Sequence, residues 1–286
     1  MLNASTVAAE RSIGAIISDT RNLGADQVEA IVAYQRQHGV RFGAAAVALG
    51  YASADDVLHA LAQQFHYPYA ANEDQKGSPE LVALNQPFGR QAEAIRAIRS
   101  QLLMRGLGAQ QEDRAALALI SPQSGDGRSY FAANLAVALA QLGGRVLLID
   151  ADMRAPRQHD IFGLPNETGL SGILAGRAQT QVIQPVAGVP GLCVLPVGVT
   201  PPNPVELVER PGFGFLLQEL RAKFDYVLVD TPAGSRGADA GVIAARCGHA
   251  LLIARKDATR VAAVREQVAG LPTSAVQLIG VVVNEH

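Results

Sequence analysis

Residues 115–142 decide the fold and read AALALISPQSGDGRSYFAANLAVALAQL. The apolar run at 115–121 predicts a buried strand, and residues 129–142 predict a helix that ends at Gly143 and Gly144. The loop between them contains Gly125 and Gly127, which allow backbone N–H groups to turn inward just before a helix N-terminus. Such a loop is typical of a phosphate-binding site.

Strands and helices alternate along the C-terminal part of the sequence. Apolar runs predict further strands at 145–150, 192–196, 226–230, 249–254 and 278–283. Because these strands are apolar throughout and lie between helices, they indicate a parallel sheet covered on both faces. We therefore expect an α/β fold with a doubly wound, mostly parallel sheet of the P-loop NTPase type.

The composition narrows the class of protein. The chain has 286 residues, 49% of them hydrophobic, and a formal net charge of −2, which excludes a wholly disordered chain. The near-neutral charge gives no broad electrostatic case for nucleic-acid binding, and the apolar runs are far shorter than the ~20 residues of a membrane span. Cys193 and Cys247 lie in apolar surroundings, as is usual for a reducing compartment. We therefore expect a cytoplasmic protein that neither inserts into a membrane nor binds nucleic acid.

The N-terminal region contains an internal repeat. Residues 13–35 align with residues 42–64 at a shift of 29 positions, and each copy predicts a short apolar helix followed by a longer one. We therefore expect a small all-α domain of two repeats at 1–72, a polar linker at 73–87 and the larger domain at 88–286.

This repeat resembles the N-terminal domain of type II secretion and MSHA-pilus ATPases. The second copy carries these residues of that motif: Arg41-Phe42-Gly43, Gly50, Leu61 and Gln64. The first copy has Ser12 at the motif arginine and Arg21 at the middle glycine. Some of those domains bind cyclic diguanylate, so the resemblance implies this dinucleotide or a docked protein as the ligand. We favour a docked protein, because the first copy lacks donors that a dinucleotide would need.

A helix at 91–104 carries two different faces. Ile95, Ile98 and Leu102 form an apolar stripe at helical spacing. The charged residues Glu93, Arg96 and Arg99 form a separate stripe. That stripe is either a solvated face with an ion pair three residues apart or a contact between subunits.

Acidic residues follow two of the predicted strands. Asp150 and Asp152 lie at the end of one strand, and Asp230 lies at the end of another. Ligands of open α/β sheets bind at the carboxyl ends of parallel strands, and Mg²⁺ prefers oxygen ligands. Carboxylates here could hold Mg²⁺, position a nucleophile, or do both. Together with the glycine-rich loop, they predict a metal–nucleotide site.

The loop supplies the predicted nucleotide contacts, which are Ser124, Gly125, Asp126, Gly127, Arg128, Ser129 and Tyr130. Ser129 stands where a hydroxyl group ligates Mg²⁺ in phosphate-binding loops. Two positions depart from the common pattern: Pro122 replaces the first glycine, and Arg128 replaces the lysine. Arginine keeps the positive charge, but its planar fork is wider than a compact ammonium group.

Residues 88–286 resemble the bacterial tyrosine kinases of capsule and exopolysaccharide synthesis that are associated with chain-length determinants. The matching stretches follow the order of that family and lie at 93–99, 121–129, 148–154, 169–176, 201–207, 224–232 and 280–284. The related partitioning and division-site ATPases lack the stretch Pro201-Pro202-Asn203-Pro204.

The resemblance implies a protein tyrosine kinase that uses ATP and Mg²⁺. It implies that Asp150 and Asp152 act in phosphoryl transfer beside Arg128. It further implies that Ser129, Asp152 and Asp230 hold the metal. The charged stripe at Glu93, Arg96 and Arg99 would build a ring of subunits. The implied partner is the cytoplasmic tail of a polysaccharide co-polymerase, which would keep the chain at the inner membrane and make it control polymer length or export.

The phosphate acceptor is open, because residues 280–286 contain no counterpart of the family's C-terminal tyrosine cluster. Tyr67 and Tyr69 are the expected exposed acceptors. Two other functions also stay open. One is a catalytically weak, nucleotide-gated regulatory subunit of the co-polymerase, which the replacement of lysine by Arg128 favours. The other is an ATPase of the partitioning class, stimulated by DNA or lipid.

Overall fold

A computed structural model of the chain describes residues 11–64, 78–107, 115–177 and 180–285. The chain divides into two compact units, Met1–Ala71 and Asn72–His286. The expected acceptors Tyr67 and Tyr69 lie outside the described residues.

The first unit is helical over its described residues. Its helices are α1 (Ile13–Thr20), α2 (Ala25–His38), α3 (Phe42–Ala48) and α4 (Ala54–Gln64). Ser12 caps α1 by accepting a hydrogen bond at Oγ from the Ala15 N–H, and Gly39 ends α2 in a left-handed conformation with φ of 65°. Ile16, Ile17 and Ile31 are buried at the centre of the unit.

A glycine of the repeat has a packing role in this unit. A Cβ on Gly43 would lie 2.7 Å from Val57 Cγ1, so α3 approaches α4 closely only because this residue has no side chain. Arg21, which stands at the middle glycine of the first copy, donates from Nε to Asp56 Oδ2 at 2.7 Å. The repeat residues therefore serve the packing and ion pairing of the unit itself.

The second unit contains a seven-stranded sheet. Its strands are β1 (Ala116–Ile120), β2 (Val146–Asp150), β3 (Gln184–Pro185), β4 (Leu192–Leu195), β5 (Tyr226–Asp230), β6 (Gly248–Arg255) and β7 (Gln277–Asn284). Its helices are α5 (Val82–Asn85), α6 (Arg90–Met104), α7 (Arg128–Ala140), α8 (Gln158–Phe162), α9 (Leu170–Leu174), α10 (Pro204–Glu209), α11 (Pro211–Lys223), α12 (Asp239–Cys247) and α13 (Val261–Ala269), and a 3₁₀ helix spans Gly234–Arg236.

The strand order is β3-β4-β2-β5-β1-β6-β7, and every pair is parallel except β3 with β4. The predicted doubly wound, mostly parallel sheet is therefore confirmed. β3 was not predicted, because two residues that include Pro185 are too short to give an apolar pattern.

The core lies on both faces of the sheet. Ala116, Ala118 and Ile120 of β1 pack in one cluster with α9 to α12, in which Phe213 is fully buried. The alternate residues Leu117 and Leu119 point to the opposite face because successive side chains of a strand alternate, and α7 packs on the sheet. Covering both faces explains why the central strands are apolar throughout. In the part of the chain that the structure describes, we find no helix with the length and hydropathy to cross a membrane.

The predicted linker at 73–87 is corrected for its second half. Residues 65–77 lie outside the described residues, but residues 78–87 belong to the second unit and are packed within it, with Leu81 and Leu84 each 1% exposed. Asn134 of α7 accepts a hydrogen bond from the Ala83 N–H at 2.9 Å and donates to the Glu80 carbonyl at 2.8 Å. The apolar residues at 81–84 are buried against α7, and the free energy gained by this burial favours an ordered segment over the flexible linker that the preceding polar residues predict.

Replacing Asn134 by Leu should detach this segment. Leucine is similar in size but leaves the Ala83 N–H and the Glu80 carbonyl buried without their partner, which costs about 2–4 kcal/mol of the free energy of unfolding. Urea denaturation followed by circular dichroism measures this loss. A change below about 0.5 kcal/mol would mean that these hydrogen bonds do not hold the segment.

Candidate functional site

The loop from Ser121 to Gly127 connects β1 to α7 and has the backbone shape that the sequence predicts. Gly125 and Gly127 have φ of 90° and 88°, which L side chains rarely adopt. A Cβ on Gly127 would also overlap the Asn284 side-chain amide at the end of β7. Glycine at 127 therefore allows both the turn and the close approach of β7.

Asp126 braces the loop from within. Its Oδ2 accepts a hydrogen bond from the Gln123 N–H at 2.8 Å, and its Oδ1 accepts one from the Thr259 hydroxyl at 2.6 Å. The side chain is 3% exposed. What Asp126 can offer to a bound phosphate is therefore its backbone N–H, because the carboxylate is occupied by the loop itself.

Asp150 and Asp230 are neighbours in the register of β2 and β5, and both are fully buried. The Asp150 carboxylate accepts hydrogen bonds from the backbone N–H groups of Asp152, Arg157 and Gln158 at 3.1, 3.0 and 2.9 Å. Burial and the nearby charge of Asp230 raise the pKa of Asp150 well above its usual value, although the backbone donors oppose the rise. Asp150 thus anchors the turn after β2.

Asp152 lies in this turn, at the wall of the cleft. Its Oδ1 accepts hydrogen bonds from the N–H groups of Arg154 and Ala155 at 3.1 and 2.9 Å. Burial raises the pKa of Asp152 above its usual value, and the positive charge of Arg128 opposes that rise. Its Oδ2 accepts a hydrogen bond from a guanidinium group at 2.8 Å.

This guanidinium group belongs to Arg128. The sequence predicts that the Arg128 side chain contacts phosphate, but in the structure it contacts carboxylates. Its Nη2 donates to Asp152 Oδ2 and its Nε to Asp230 Oδ1, both at 2.8 Å. Its Nη1 donates to the Ser121 hydroxyl at 2.9 Å. The structure thus brings Arg128, Asp152 and Asp230 together and directs the guanidinium at the two carboxylates.

Gln158 belongs to the same cluster, although no pattern in the sequence predicts it there. Its Nε2 donates to Asp230 Oδ2 at 2.7 Å and to the Ser129 carbonyl at 3.1 Å. The side chain is fully buried, and its Oε1 meets no donor among the described residues. A glutamine eight positions after Asp150 carries no motif, so only the three-dimensional turn could reveal it.

A cleft of about 360 Å³ opens over the loop. It is lined by Glu80, residues 123–130, Asp152, Ala155, Arg157 and Asn284. The predicted contacts Ser124, Ser129 and Tyr130 therefore border one space. Tyr130 is half-buried, and burial together with the charge of Glu80 raises the pKa of its hydroxyl.

A larger cavity of about 890 Å³ lies between α12 and α13, but Arg128, Ser129 and Asp152 line the smaller cleft.

The oxygen donors of this cleft suit Mg²⁺. Over the residues that the structure describes, no three His, Cys, Asp or Glu side chains form a ready metal cage. In phosphate sites, however, Mg²⁺ is commonly held by one or two carboxylates together with phosphate oxygens and water. Ser129 and Asp152 line the cleft, whereas Asp230 is fully buried and contacts Arg128. The three residues together provide this chemistry once the Arg128 guanidinium moves from the two carboxylates.

The charged stripe of α6 makes contacts within its own unit. Arg96 pairs with Glu93 at 2.6 Å, as its spacing of three residues predicts. Arg99 donates from Nη1 to the Ala138 carbonyl of α7 at 2.6 Å, so this side chain is tied to the neighbouring helix. Glu93 remains 72% exposed at its side chain.

Much of the chain is similar to known proteins. Residues 117–286 match the family of CobQ/CobB/MinD/ParA nucleotide-binding domains. The putative tyrosine-protein kinase EpsB of Ralstonia solanacearum is 37% identical over 204 residues, which are 71% of this chain and 27% of EpsB. The putative tyrosine-protein kinase CapB of Staphylococcus aureus is 33% identical over 205 residues, which are 72% of this chain and 89% of CapB.

Solved structures agree with these sequence relatives. The kinase domain of Escherichia coli tyrosine kinase ETK matches with a TM-score of 0.67 and 32% identity, covering 71% of this chain and 79% of that structure. The predicted resemblance to bacterial tyrosine kinases and the predicted nucleotide-binding fold are confirmed. The chain nevertheless spans only 27% of the length of EpsB.

Proposed function

The chain belongs to the bacterial tyrosine kinases built on a CobQ/CobB/MinD/ParA nucleotide-binding domain, and on this basis we propose that it is a protein tyrosine kinase that uses ATP and Mg²⁺. One observation carries the proposal beyond the family. Ser129, Arg128 and Asp152 line the same cleft as the glycine-rich loop, at the carboxyl ends of the parallel strands. A phosphate-binding loop, a cation and a carboxylate around one cleft are the parts that phosphoryl transfer needs.

The loop residues divide the work of binding. The backbone N–H groups of residues 124–130 and the N-terminus of α7 would hold the nucleotide phosphates. Ser129, Asp152 and Asp230 would hold Mg²⁺, which neutralises phosphate charge when bound. Asp150 keeps the turn after β2 in shape through its three backbone hydrogen bonds.

We assign Asp152 to positioning the tyrosine that receives the phosphate. It would accept the hydrogen bond of the tyrosine hydroxyl and align its oxygen with the γ-phosphorus. The new bond joins the phenolic oxygen to phosphorus, the bond to the bridging oxygen breaks, and ADP leaves. The phenolic proton passes to Asp152 or to solvent.

Radioactive phosphate transfer tests this proposal. The chain is incubated with [γ-³²P]ATP, Mg²⁺ and the copolymer poly(Glu,Tyr), and the labelled products are hydrolysed in acid to identify the phosphoamino acid. We expect phosphotyrosine on the copolymer or on the chain itself. Absence of phosphotyrosine in a preparation that binds ADP would contradict the kinase.

A nucleotide-gated regulator is the second candidate, and the Arg128 contacts favour it. A guanidinium committed to Asp152 and Asp230 leaves less positive charge for the transferring phosphate. In this case the chain would bind ADP and ATP but form no phosphotyrosine. An ATPase of the partitioning class would instead show hydrolysis that DNA or lipid vesicles stimulate, so the same labelled ATP distinguishes all three functions.

We also propose that the chain works with a membrane polysaccharide co-polymerase, whose cytoplasmic tail would hold it at the inner membrane. The support is the set of sequence motifs shared with kinases of exopolysaccharide synthesis. Cell fractionation tests the partnership: the chain should sediment with the membrane and lose this association when the co-polymerase is deleted. Unchanged membrane association in the deletion strain would contradict it.

The exposed acid of α6 tests the proposed ring of subunits. Glu93→Lys reverses the charge of a side chain that is 72% exposed, while Arg96 and Arg99 keep their backbone contacts. If Glu93, Arg96 and Arg99 form a subunit contact, the variant should sediment as a smaller species than the wild type in the presence of ADP and Mg²⁺. Equal sedimentation of the two proteins would show that Glu93 does not take part in a subunit contact.

For the N-terminal unit we propose protein docking rather than binding of cyclic diguanylate. The support is an ion pair between Arg21 and Asp56. Arg21 stands at a glycine position of the motif, and its charge is already paired within the unit. Calorimetric titration with cyclic diguanylate should therefore give no saturable heat. Saturable binding that Arg41→Ala abolishes would contradict the docking role.

A further inference from the structure

The Arg128 guanidinium is bound inside the protein through all three of its nitrogen atoms. Each of its three nitrogen atoms donates a hydrogen bond, to Asp230, Ser121 and Asp152, at 2.8, 2.9 and 2.8 Å. The residue is only 7% exposed. The planar fork of arginine suits this arrangement, because its donors are spread over three nitrogen atoms, whereas a lysine ammonium presents its three donors from one nitrogen.

The two carboxylates need a cation whether or not a ligand is bound. Asp230 is fully buried and Asp152 is 4% exposed, and a buried carboxylate without a counter-charge is strongly unfavourable. Arg128 supplies that charge in the structure. The same two carboxylates are the ligands that we assign to Mg²⁺, so the guanidinium and the metal compete for the same oxygen atoms.

We propose that Arg128 is an exchangeable internal cation. It neutralises Asp152 and Asp230 when the cleft holds no metal, and it moves to the nucleotide phosphates when Mg²⁺ takes its place. Exchange conserves the pairing of charges at each step: the carboxylates keep a cation, and the incoming phosphates gain one. The inference rests on the proposed metal–nucleotide site, but not on transfer to tyrosine.

Gln158 makes such an exchange feasible without loss of the site. It holds Asp230 through Oδ2, whereas Arg128 holds the same carboxylate through Oδ1. Asp152 is likewise held by backbone donors at Oδ1 and by Arg128 at Oδ2. Each carboxylate therefore has one oxygen fixed by the protein and one oxygen that faces the cation, so either cation finds the acids in the same orientation.

Thermal unfolding with Mg²⁺ alone tests the competition. Arg128→Met should lower Tm in EDTA by roughly 5–10 °C, because it leaves two buried acids without their cation. Millimolar Mg²⁺ should restore at least half of that loss. In the wild type, where Arg128 already occupies the acids, Mg²⁺ alone should leave Tm almost unchanged.

Arg154→Met is the matched control. Arg154 pairs at 3.0 Å with Asp239, which is 1% exposed, so its removal also strands a buried acid. Mg²⁺ should not restore its Tm, because one carboxylate away from the cleft does not form a metal site. Equal Mg²⁺ effects on wild type, Arg128→Met and Arg154→Met would overturn the proposal.

The wild-type protein offers a second test that requires no folded Arg128→Met variant. The Arg128 Nε–H signal in a ¹H–¹⁵N spectrum, assigned by its loss in Arg128→Lys, should be protected from exchange with water because it is buried against Asp230. Adding ADP with Mg²⁺ should shift it and reduce its protection. An unchanged Arg128 signal in protein saturated with Mg²⁺ and ADP would overturn the exchange.

These outcomes separate the inference from the proposed function. A missing phosphotyrosine product with the expected Arg128 shift would contradict the kinase and keep the exchange. Phosphotyrosine formation with an unmoved Arg128 signal would contradict the exchange and keep the kinase. If ADP with Mg²⁺ did not bind at all, the nucleotide site would fail, and the thermal experiment with Mg²⁺ alone would still decide whether metal and arginine compete.

Discussion

Asp152→Asn is expected to lower the rate of phosphate transfer to tyrosine about 100- to 1,000-fold. Asparagine keeps the size of the side chain, and its carbonyl oxygen can still accept the N–H groups of Arg154 and Ala155. It loses the negative charge that holds a cation and accepts the proton of the attacking hydroxyl. Initial rates with poly(Glu,Tyr) as acceptor measure the effect.

Asp225→Asn provides the matched control for this substitution. Asp225 precedes β5 at the end opposite Asp230, and it pairs with Arg145, which is 60% exposed. Loss of a surface pair costs little, so the rate should stay within about twofold of wild type. If Asp152→Asn kept more than a tenth of the wild-type rate, Asp152 would not be the group that orients the acceptor.

Gly127→Ala should have the second large effect, on nucleotide binding. A side chain at φ of 88° is strained by about 1–2 kcal/mol, and its Cβ would displace the Asn284 amide from the loop. Because the backbone N–H groups that we assign to the phosphates lie on either side of Gly127, ADP affinity should fall at least tenfold. Calorimetric titration of ADP in the presence of Mg²⁺ measures the change.

Gly212→Ala controls for the general cost of removing a glycine. Gly212 lies in the first turn of α11, and a Cβ there would meet nothing within 4 Å. Its ADP affinity should equal that of wild type. Wild-type affinity in Gly127→Ala as well would contradict the role of the loop backbone in holding phosphates.

Much of the fold could be predicted from the sequence, because its periodicities are strong. Continuous apolar runs predict the central strands, and the glycine-rich loop fixes which strand precedes the site. The proximity of the Asp150 and Asp230 carboxylates could also be predicted, because parallel strands end at a common edge of the sheet.

The remaining features depend on contacts that no local pattern contains. The segment at 78–87 reads as a linker until Asn134, about fifty positions away, supplies its hydrogen bonds. The direction of the Arg128 side chain depends on two acids from different strands, so the loop motif alone suggests phosphate contacts. Gln158 joins the site only because Asp150 folds the turn that carries it.

Calorimetric titration of the wild-type chain with ADP, in Mg²⁺ and then in EDTA, tests most directly the central claim that this cleft is a metal–nucleotide site. We expect saturable binding of one ADP per chain in Mg²⁺, with affinity about tenfold weaker in EDTA, where Arg128 stays with Asp152 and Asp230. No saturable binding, or the same affinity in Mg²⁺, in EDTA and in Asp152→Asn, would contradict it.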